Sequence, residues 1–388
     1  MPGSVYLDNA ATTPLDPRVL EVMLPYLRGV RGNPSSLHAP GAAARDAVEE
    51  AREYVASLIG ASSQEIVFTS GGTEADNLAV SALARATDDK RHVLISAVEH
   101  PAVRETADNL RASAYEVDHV RVDENGLIDL PAFAASLRPD TVLAAVLWAN
   151  NEVGTVQPIE ELGSICAEHG VPFHSDAVQA VGRIPIDVRD TSVSTLAISS
   201  HKIYGPQGVG ALYVRDGVKL EPLMRGGGQE RGLRSGTESV ADIVGFGEAA
   251  RLAREELDSR SRHEMELRDR LISSLTSISG VRLNGHPANR LPNSVHLAVD
   301  GVEAEGLVML CDAAGYAIGS GSACASGGHK ASSVLLAMGR DEREAFSAVR
   351  ITVGKYNTMQ EIEGFIEVFS AAADQLRNLS PIYTETRG

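Results

Sequence analysis

Lys202 lies in SSHKIYGPQGVGALYVR (199–215), just past an apolar run, Val193–Ser199, that reads as a buried strand. Gly205, Pro206, Gly208 and Gly210 mark a loop, and Ala211–Val214 reads as a second strand. Burying an ammonium between two strands is costly unless it is paired or neutral. Such a lysine either snorkels to the surface at the strand end or is a desolvated amine able to condense with an aldehyde. His100, Asn151 and Asp176 follow apolar runs in the same way, after Val93–Ser96, Thr141–Trp148 and Val171–His174. Singly, each has an ordinary structural use: a strand-end imidazole, an Asx turn, a turn former. Cys324 stands in GSGSACASGGHK (319–330), a stretch with little to bury and much backbone freedom. That setting suits a reactive thiol as well as an incidental surface one.

The elements that must hold these residues alternate. Helical patterns at 17–27, 41–58, 102–113, 131–138 and 158–169 lie between the apolar runs. Repeated strand–helix units imply a mainly parallel sheet covered on both faces, with ligands bound beyond the carboxyl ends of its strands. His100, Asn151, Asp176 and Lys202 then share one rim. EIVFTSGGTEADNLAVSALA (65–84) adds a strand at 66–68, a glycine turn and a helix from Glu74, and the Thr73–Asp76 spacing resembles a capping box. A fresh helix N-terminus after a glycine turn is an anion site. The stretch matches neither the P-loop nor the G-x-G-x-x-G pattern. MRGGGQERGLRSGTES (224–239) reads as an excursion across the mouth of the site or a subunit boundary. Helical periodicity over 240–253 runs on through a charged helix, 254–276, towards a smaller α+β region that begins near 277.

Composition narrows the function. The 388 residues carry 35 basic and 52 acidic side chains, a formal charge of −17, which argues against direct nucleic-acid binding. No apolar run reaches membrane-span length and the start lacks a signal-peptide pattern, so a cytoplasmic protein without membrane contact is expected. The three cysteines cannot all pair and lack zinc-ligand spacing, and no metal is expected. Cys166 and Cys311 fall in apolar helical patterns and read as core thiols.

An aldehyde cofactor gathers these residues into one account. Pyridoxal 5'-phosphate needs a lysine and an acid beside its ring nitrogen. Asp176 suits the acid, His100 a stacking surface, Asn151 and Gln179 the ring oxygen, and Gly72, Thr73, Ser199 and His201 the phosphate.

The chain resembles the cysteine desulfurases of the class V aminotransferase group, in the branch that serves iron–sulfur cluster assembly and thiolation. The likeness covers nearly all of it, through YLDNAATTP (6–14), GNPSSLH (32–38), EHPAV (99–103), NNEVGT (150–155), HSDAVQAVG (174–182), SSHKIYGPQGVGALY (199–213), GGGQERGLRSGT (226–237), GSACASG (321–327) and VRITVG (349–354). The resemblance implies the α/β type I aminotransferase fold. Its large domain would span 17–256, and residues 1–16 and 257–388 would form a small domain carrying the cysteine loop. It implies a homodimer with sites at the subunit interface, L-cysteine as substrate and a sulfur-acceptor protein as partner. Lys202 matches the Schiff-base lysine, Cys324 the persulfide-forming cysteine, and His100 a stacking residue that also handles protons. Asp176, Asn151, Gln179, Thr73, Ser199 and His201 match the cofactor contacts named above. Thr237 matches a phosphate contact given to the other subunit, Arg350 the clamp on the substrate carboxylate, and Asn33 a pocket-lining loop residue. ASGGHKASS after Cys324 departs from the family's Ser/Thr-then-Pro pattern, and the tail is short after LSPIY. A selenocysteine lyase on the same fold is the neighbouring alternative. A non-catalytic dimeric platform would need none of Lys202, Asp176, His100 and Cys324.

Overall fold

The computed structural model describes residues 4–29, 31–87, 89–320 and 331–379. Cys324 and the tail from Ser380 onward lie outside the described residues. The chain opens with β1 (Val5–Tyr6), α1 (Pro17–Arg28) and α2 (Ala39–Leu58). The alternating part comprises β2 (Ile66–Thr69), α3 (Gly72–Ala84), β3 (His92–Ser96), α4 (Pro101–Leu110), β4 (Glu116–Val120), α5 (Leu130–Ser136), β5 (Thr141–Ala145), α6 (Ile159–Glu168), β6 (Phe173–Asp176), β7 (Thr195–Ser199) and β8 (Gly210–Val214). After α7 (Val240–Leu275) come β9 (Val281–Leu283), β10 (Ser294–Val299), α8 (Ala304–Ala313), β11 (Tyr316–Ala317), β12 (Gly319–Ser320), α9 (Ser333–Ala337), α10 (Glu342–Phe346), β13 (Ala348–Thr352) and α11 (Met359–Leu379).

Strands β2 to β8 form one sheet in the order β2-β8-β7-β6-β5-β3-β4. β8 runs antiparallel to both its neighbours, and the other pairs are parallel. Every strand but β4 is buried along its length, as a sheet covered on both faces requires. Val19, Val55, Phe133, Leu162 and Phe246 bring α1, α2, α5, α6 and α7 into the core on one face, while α3 and α4 pack on the other through residues such as Leu83 and Val103. β4 lies at the edge with an alternating pattern of exposure. Its charged sequence, EVDHV, gave no strand expectation.

A second core gathers around the antiparallel sheet β12-β13-β10-β9, with Leu267, Leu271 and Leu275 of α7 against Phe365 and Phe369 of α11. At 36 residues, α7 is about 54 Å long and reaches from Phe246 in the first core to Leu275 in the second. The amino-terminal segment also joins the two. Leu7 O accepts from Thr352 N at 2.7 Å, and a few residues on Thr13 N donates to His201 O at 2.9 Å. Residues 8–12, with a turn closed by Ala11 N donating to Asp8 O at 3.0 Å, lie between these two anchors.

One expectation fails locally. Thr73 does not cap α3. The N-cap is Gly71, which makes no side-chain cap bond, and Thr73 already lies within the helix. The returning carboxylate is that of Glu74, which accepts from Ser70 N at 2.7 Å. This leaves the first N–H groups of α3 uncapped by side chains from their own turn, the arrangement an anion needs.

Candidate active site

The carboxyl ends of β5, β6 and β7, the N-terminus of α3 and the turn before α4 surround a cleft. Lys202, Asp176 and His100 line it, with Gly72 and Thr73 at one end and Arg350 on the side of the smaller body. Asn151, Gln179, Ser199 and His201 line it as well. A second, more open recess adjoins the phosphate end, bounded by Thr12, Ser70, Gly71, Gly72, Thr73 and His201.

Lys202 ends a short 3-10 turn that follows β7. Its Nζ donates to Ala10 O at 2.5 Å and to Ala11 O at 2.7 Å. The cost of a half-buried ammonium is therefore met by the amino-terminal segment, and the amine is held at the cleft and not led out to solvent. His100 is the N-cap of α4. Its Nδ1 accepts from Ala102 N at 3.1 Å, which fixes the ring plane and leaves Nε2 for other work. Burial, and behind it Lys202 and Arg104, lowers its pKa against the opposing pull of Asp176. His201 Nδ1 lies 3.0 Å from Thr12 Oγ1, and burial followed by Lys202 pushes its pKa down to about 4.

Asp176 is 8 % exposed and closes β6. Its Oδ1 accepts from Val178 N at 2.9 Å. Burial raises its pKa, while His100, the Val178 N–H and Lys202 work against the rise. Arg350, 1 % exposed on β13, donates through Nη1 to Asn151 O at 2.9 Å and through Nη2 to Asp8 Oδ1 at 2.8 Å. The fork is thus aimed from behind before any substrate arrives. Asn151 contributes its backbone to that hold as well as its place in the cleft wall.

The residues fit the organic cofactor that the sequence implies. Gln179 Nε2 donates to Ala10 O at 2.9 Å, while its buried Oε1 is without a partner among the described residues. Gly72 leaves room that a side chain would fill, since a Cβ there would stand 2.7 Å from Val178 Cγ2. Gly210 on β8 is needed for the same turn, because its Cβ would press on the Gly71 backbone at 2.7 Å. His100 would offer such a group a stacking face, Asp176 an acid for its ring nitrogen, and the start of α3 a site for its phosphate.

Two of the named residues do not line this cleft. Asn33 Oδ1 accepts from Ser35 N at 2.9 Å in a local turn, and Asn33 is absent from the lining. Thr237, expected to serve the other subunit's site and not its own, is absent too. Its segment is anchored on its own chain, where Glu230 takes two bonds from Arg52, at 2.7 and 2.9 Å, and one from Phe68 N at 2.7 Å. Arg234 reaches Glu74 at 2.8 Å.

Three acids at or near the cleft were not read from the sequence as site residues. Asp76, 1 % exposed, lines the cleft, and a carboxylate oxygen of Asp76, one of Asp176 and a ring nitrogen of His100 lie within 4.8 Å of one another. Its signal was an acid among the small apolar residues of ADNLAVSALA. Glu99 is buried, accepts from Ser96 Oγ at 2.6 Å and from Leu147 N at 2.8 Å, and is pushed up to about 8 by burial. Glu152 accepts from Ser332 Oγ at 2.5 Å, and burial raises it to about 7.

Comparison with known proteins agrees with the geometry. The Aminotransferase class-V family profile matches residues 5–365. Cysteine desulfurase IscS of Methanosarcina thermophila is 43% identical over 380 residues, which is 98% of this chain and 94% of that relative. Cysteine desulfurase IscS of a Neisseria meningitidis serogroup C strain is 46% identical over 383 residues, with the same coverage. A solved structure described as a NifS-like protein superposes with a TM-score of 0.90 at 38% identity, covering 96% of this chain and all of that one.

Proposed function

The chain belongs to the aminotransferase class-V family, and we propose that it is a cysteine desulfurase, dependent on pyridoxal phosphate, which converts L-cysteine to L-alanine and passes the sulfur on through an enzyme persulfide. The observation that carries this reading is the meeting of Lys202, His100, Asp176 and Arg350 at one cleft beside an uncapped helix N-terminus. No described helix is long and apolar enough to cross a membrane. A cytoplasmic setting, a homodimer, and a division into residues 17–256 against 1–16 with 257–388 belong to the same proposal. The passage of α7 from one core to the other supports that division.

In this reading Lys202 anchors the cofactor, Asp176 faces its ring nitrogen and His100 its face. Gln179 and Asn151 serve the ring oxygen, and the N–H groups from Gly72 onward, with Thr73, Ser199 and His201, hold the phosphate. Thr237 would complete the phosphate site of the second copy, and Asn33 would line the substrate loop. Bound pyridoxal phosphate supplies an electron sink for the pair left when the substrate α-carbon loses its proton. Arg350 holds the substrate carboxylate, oriented by Asp8 and Asn151 O. The Lys202 amine, once free of the Ala10 and Ala11 carbonyls, takes the α-proton. Cys324 thiolate attacks the substrate sulfur. The new S–S bond forms as the substrate Cβ–S bond breaks; Cβ takes a proton, which His100 Nε2 would supply, and the Lys202 ammonium returns a proton to the α-carbon. Alanine leaves, and Cys324 holds the extra sulfur for an acceptor protein.

The test is to supply L-cysteine to the cofactor-loaded protein and measure both alanine and persulfide. Lys202→Ala is expected to abolish both. Cys324→Ser is expected to keep the visible cofactor band and form no persulfide. Cys166 and Cys311 are poor substitutes, since both are buried and burial pushes their thiols up to about 12 and about 11. Abundant persulfide on either in the Cys324→Ser protein refutes the role of Cys324.

A further inference from the structure

The cleft holds a buried acid to which the reaction as described gives no task. Asp76 lies in the second turn of α3, with a carboxylate oxygen within 4.8 Å of both a carboxylate oxygen of Asp176 and a ring nitrogen of His100. Its Oδ1 is 3.1 Å from His174 Nε2, and His174 Nδ1 is 2.9 Å from Thr195 Oγ1. His174 and Thr195 are wholly buried. Facing Asp76 are Asp176 and His174 from β6, Glu99 and His100 from the turn before α4, Lys202 from the turn after β7, and Arg350 across the cleft from β13.

Two carboxyls this close and this buried do not both ionise, and they titrate as a pair. Their surroundings are unequal. Asp176 accepts from a backbone N–H, that of Val178, and has His100 and Lys202 to favour its charge. Around Asp76, burial, Asp176 and Glu99 all act against ionisation. His174 is kept neutral by burial, its pKa pushed down to about 4, so it has one N–H to give.

We propose that Asp76 is a positioning residue that holds the proton of this pair: its O–H donates to His174 Nε2, His174 Nδ1–H donates to Thr195 Oγ1, and Asp176 is left as the one anion facing the cofactor nitrogen. This rests on the pyridoxal phosphate reading for its use, though the proton arrangement is a property of the protein alone. A second carboxylate at this wall would compete for the ring-nitrogen proton. A neutral acid tied to a buried imidazole gives the wall a fixed charge of one.

Infrared difference spectroscopy near neutral pH tests it, on the protein with and without cofactor. Subtracting Asp76→Asn from the wild type is expected to show one lost protonated-carboxyl C=O band in both forms. The cofactor-loaded variant is expected to keep the pH midpoint of its visible band within about half a unit, because one neutral group replaces another. Loss of a carboxylate band instead, or a midpoint about one unit lower, overturns the proposal. Should Asp76→Asn not fold, Asp76→Ser carries the same comparison. A wild type that takes up no cofactor sinks the desulfurase reading and leaves the infrared result to decide this one.

Discussion

Arg350 shows how much of a side chain's function is set behind it. Its two Nη atoms are engaged by Asp8 and the Asn151 carbonyl, and its Nε is buried without a partner among the described residues. Arg350→Lys keeps the charge but loses the planar fork and one of the two rear contacts. A charge-assisted bond of this kind is worth roughly 1.5–3 kcal/mol, so KM for L-cysteine is expected to rise about ten- to a hundredfold with a smaller change in kcat. Steady-state kinetics check this, and a fall in kcat at constant KM would move Arg350 out of substrate binding. Residues of this kind were legible in the sequence because each stands where an apolar run stops: His100, Asn151, Asp176 and Lys202 all do. Asp76 and Glu152 were not, because their partners, His174 and Ser332, are 98 and 180 residues away and no local pattern announces such a pairing.

At the scale of elements, α3 decides the phosphate end. The Thr73–Asp76 spacing suggested a cap two residues too late, since sequence alone does not show that the chain enters the helix at Gly72 with Gly71 as N-cap. What the sequence did carry was the glycine pair itself. Gly72→Ala places a Cβ 2.7 Å from Val178 Cγ2, and Val178 is the residue whose N–H holds Asp176. A β-branched side chain on a tight turn cannot yield without moving that backbone, and overpacking of this sort costs about 1–3 kcal/mol. The dissociation constant for pyridoxal phosphate is expected to rise about tenfold or more, measured by titration of the visible band. Gly29→Ala, with nothing within 4 Å of its Cβ, serves as the control and is expected to bind as the wild type does. Unchanged binding in Gly72→Ala would show that the phosphate end does not depend on this close approach. The parallel sheet was legible from its unbroken apolar strands, whereas β4 was not, because an edge strand with solvent on one side is free to be polar.

Across the whole molecule, buried titratable groups set opposing slopes of stability against pH. His174, His201 and His296 have pKa values lowered mainly by burial, to about 4, about 4 and about 3. Each binds fewer protons folded than unfolded, so its contribution rises with pH up to the unfolded value near 6.5. Glu99, Glu152 and Glu264 are raised by burial to about 8, about 7 and about 7. Each binds more protons folded than unfolded, so its contribution falls as pH rises from the unfolded value near 4.3 to its folded value. Between pH 4.5 and 6.5, roughly, the two sets offset each other. Above about 6.5 the histidine slope is spent, the glutamate slope runs on to about 8, and a chain of formal charge −17 gains further repulsion. The thermal midpoint is therefore expected to fall from pH 6.5 to 8, with each buried acid giving at most about 1.4 kcal/mol per pH unit. Glu264, 3 % exposed, lies near Arg183, Arg260 and Lys355 and outside the cleft lining, so Glu264→Gln probes the slope without touching the chemistry. Calorimetry across that range is expected to show a shallower fall in Glu264→Gln than in the wild type. A wild-type midpoint that rises towards pH 8 would mean that these acids are ionised in the folded protein and that burial does not govern them.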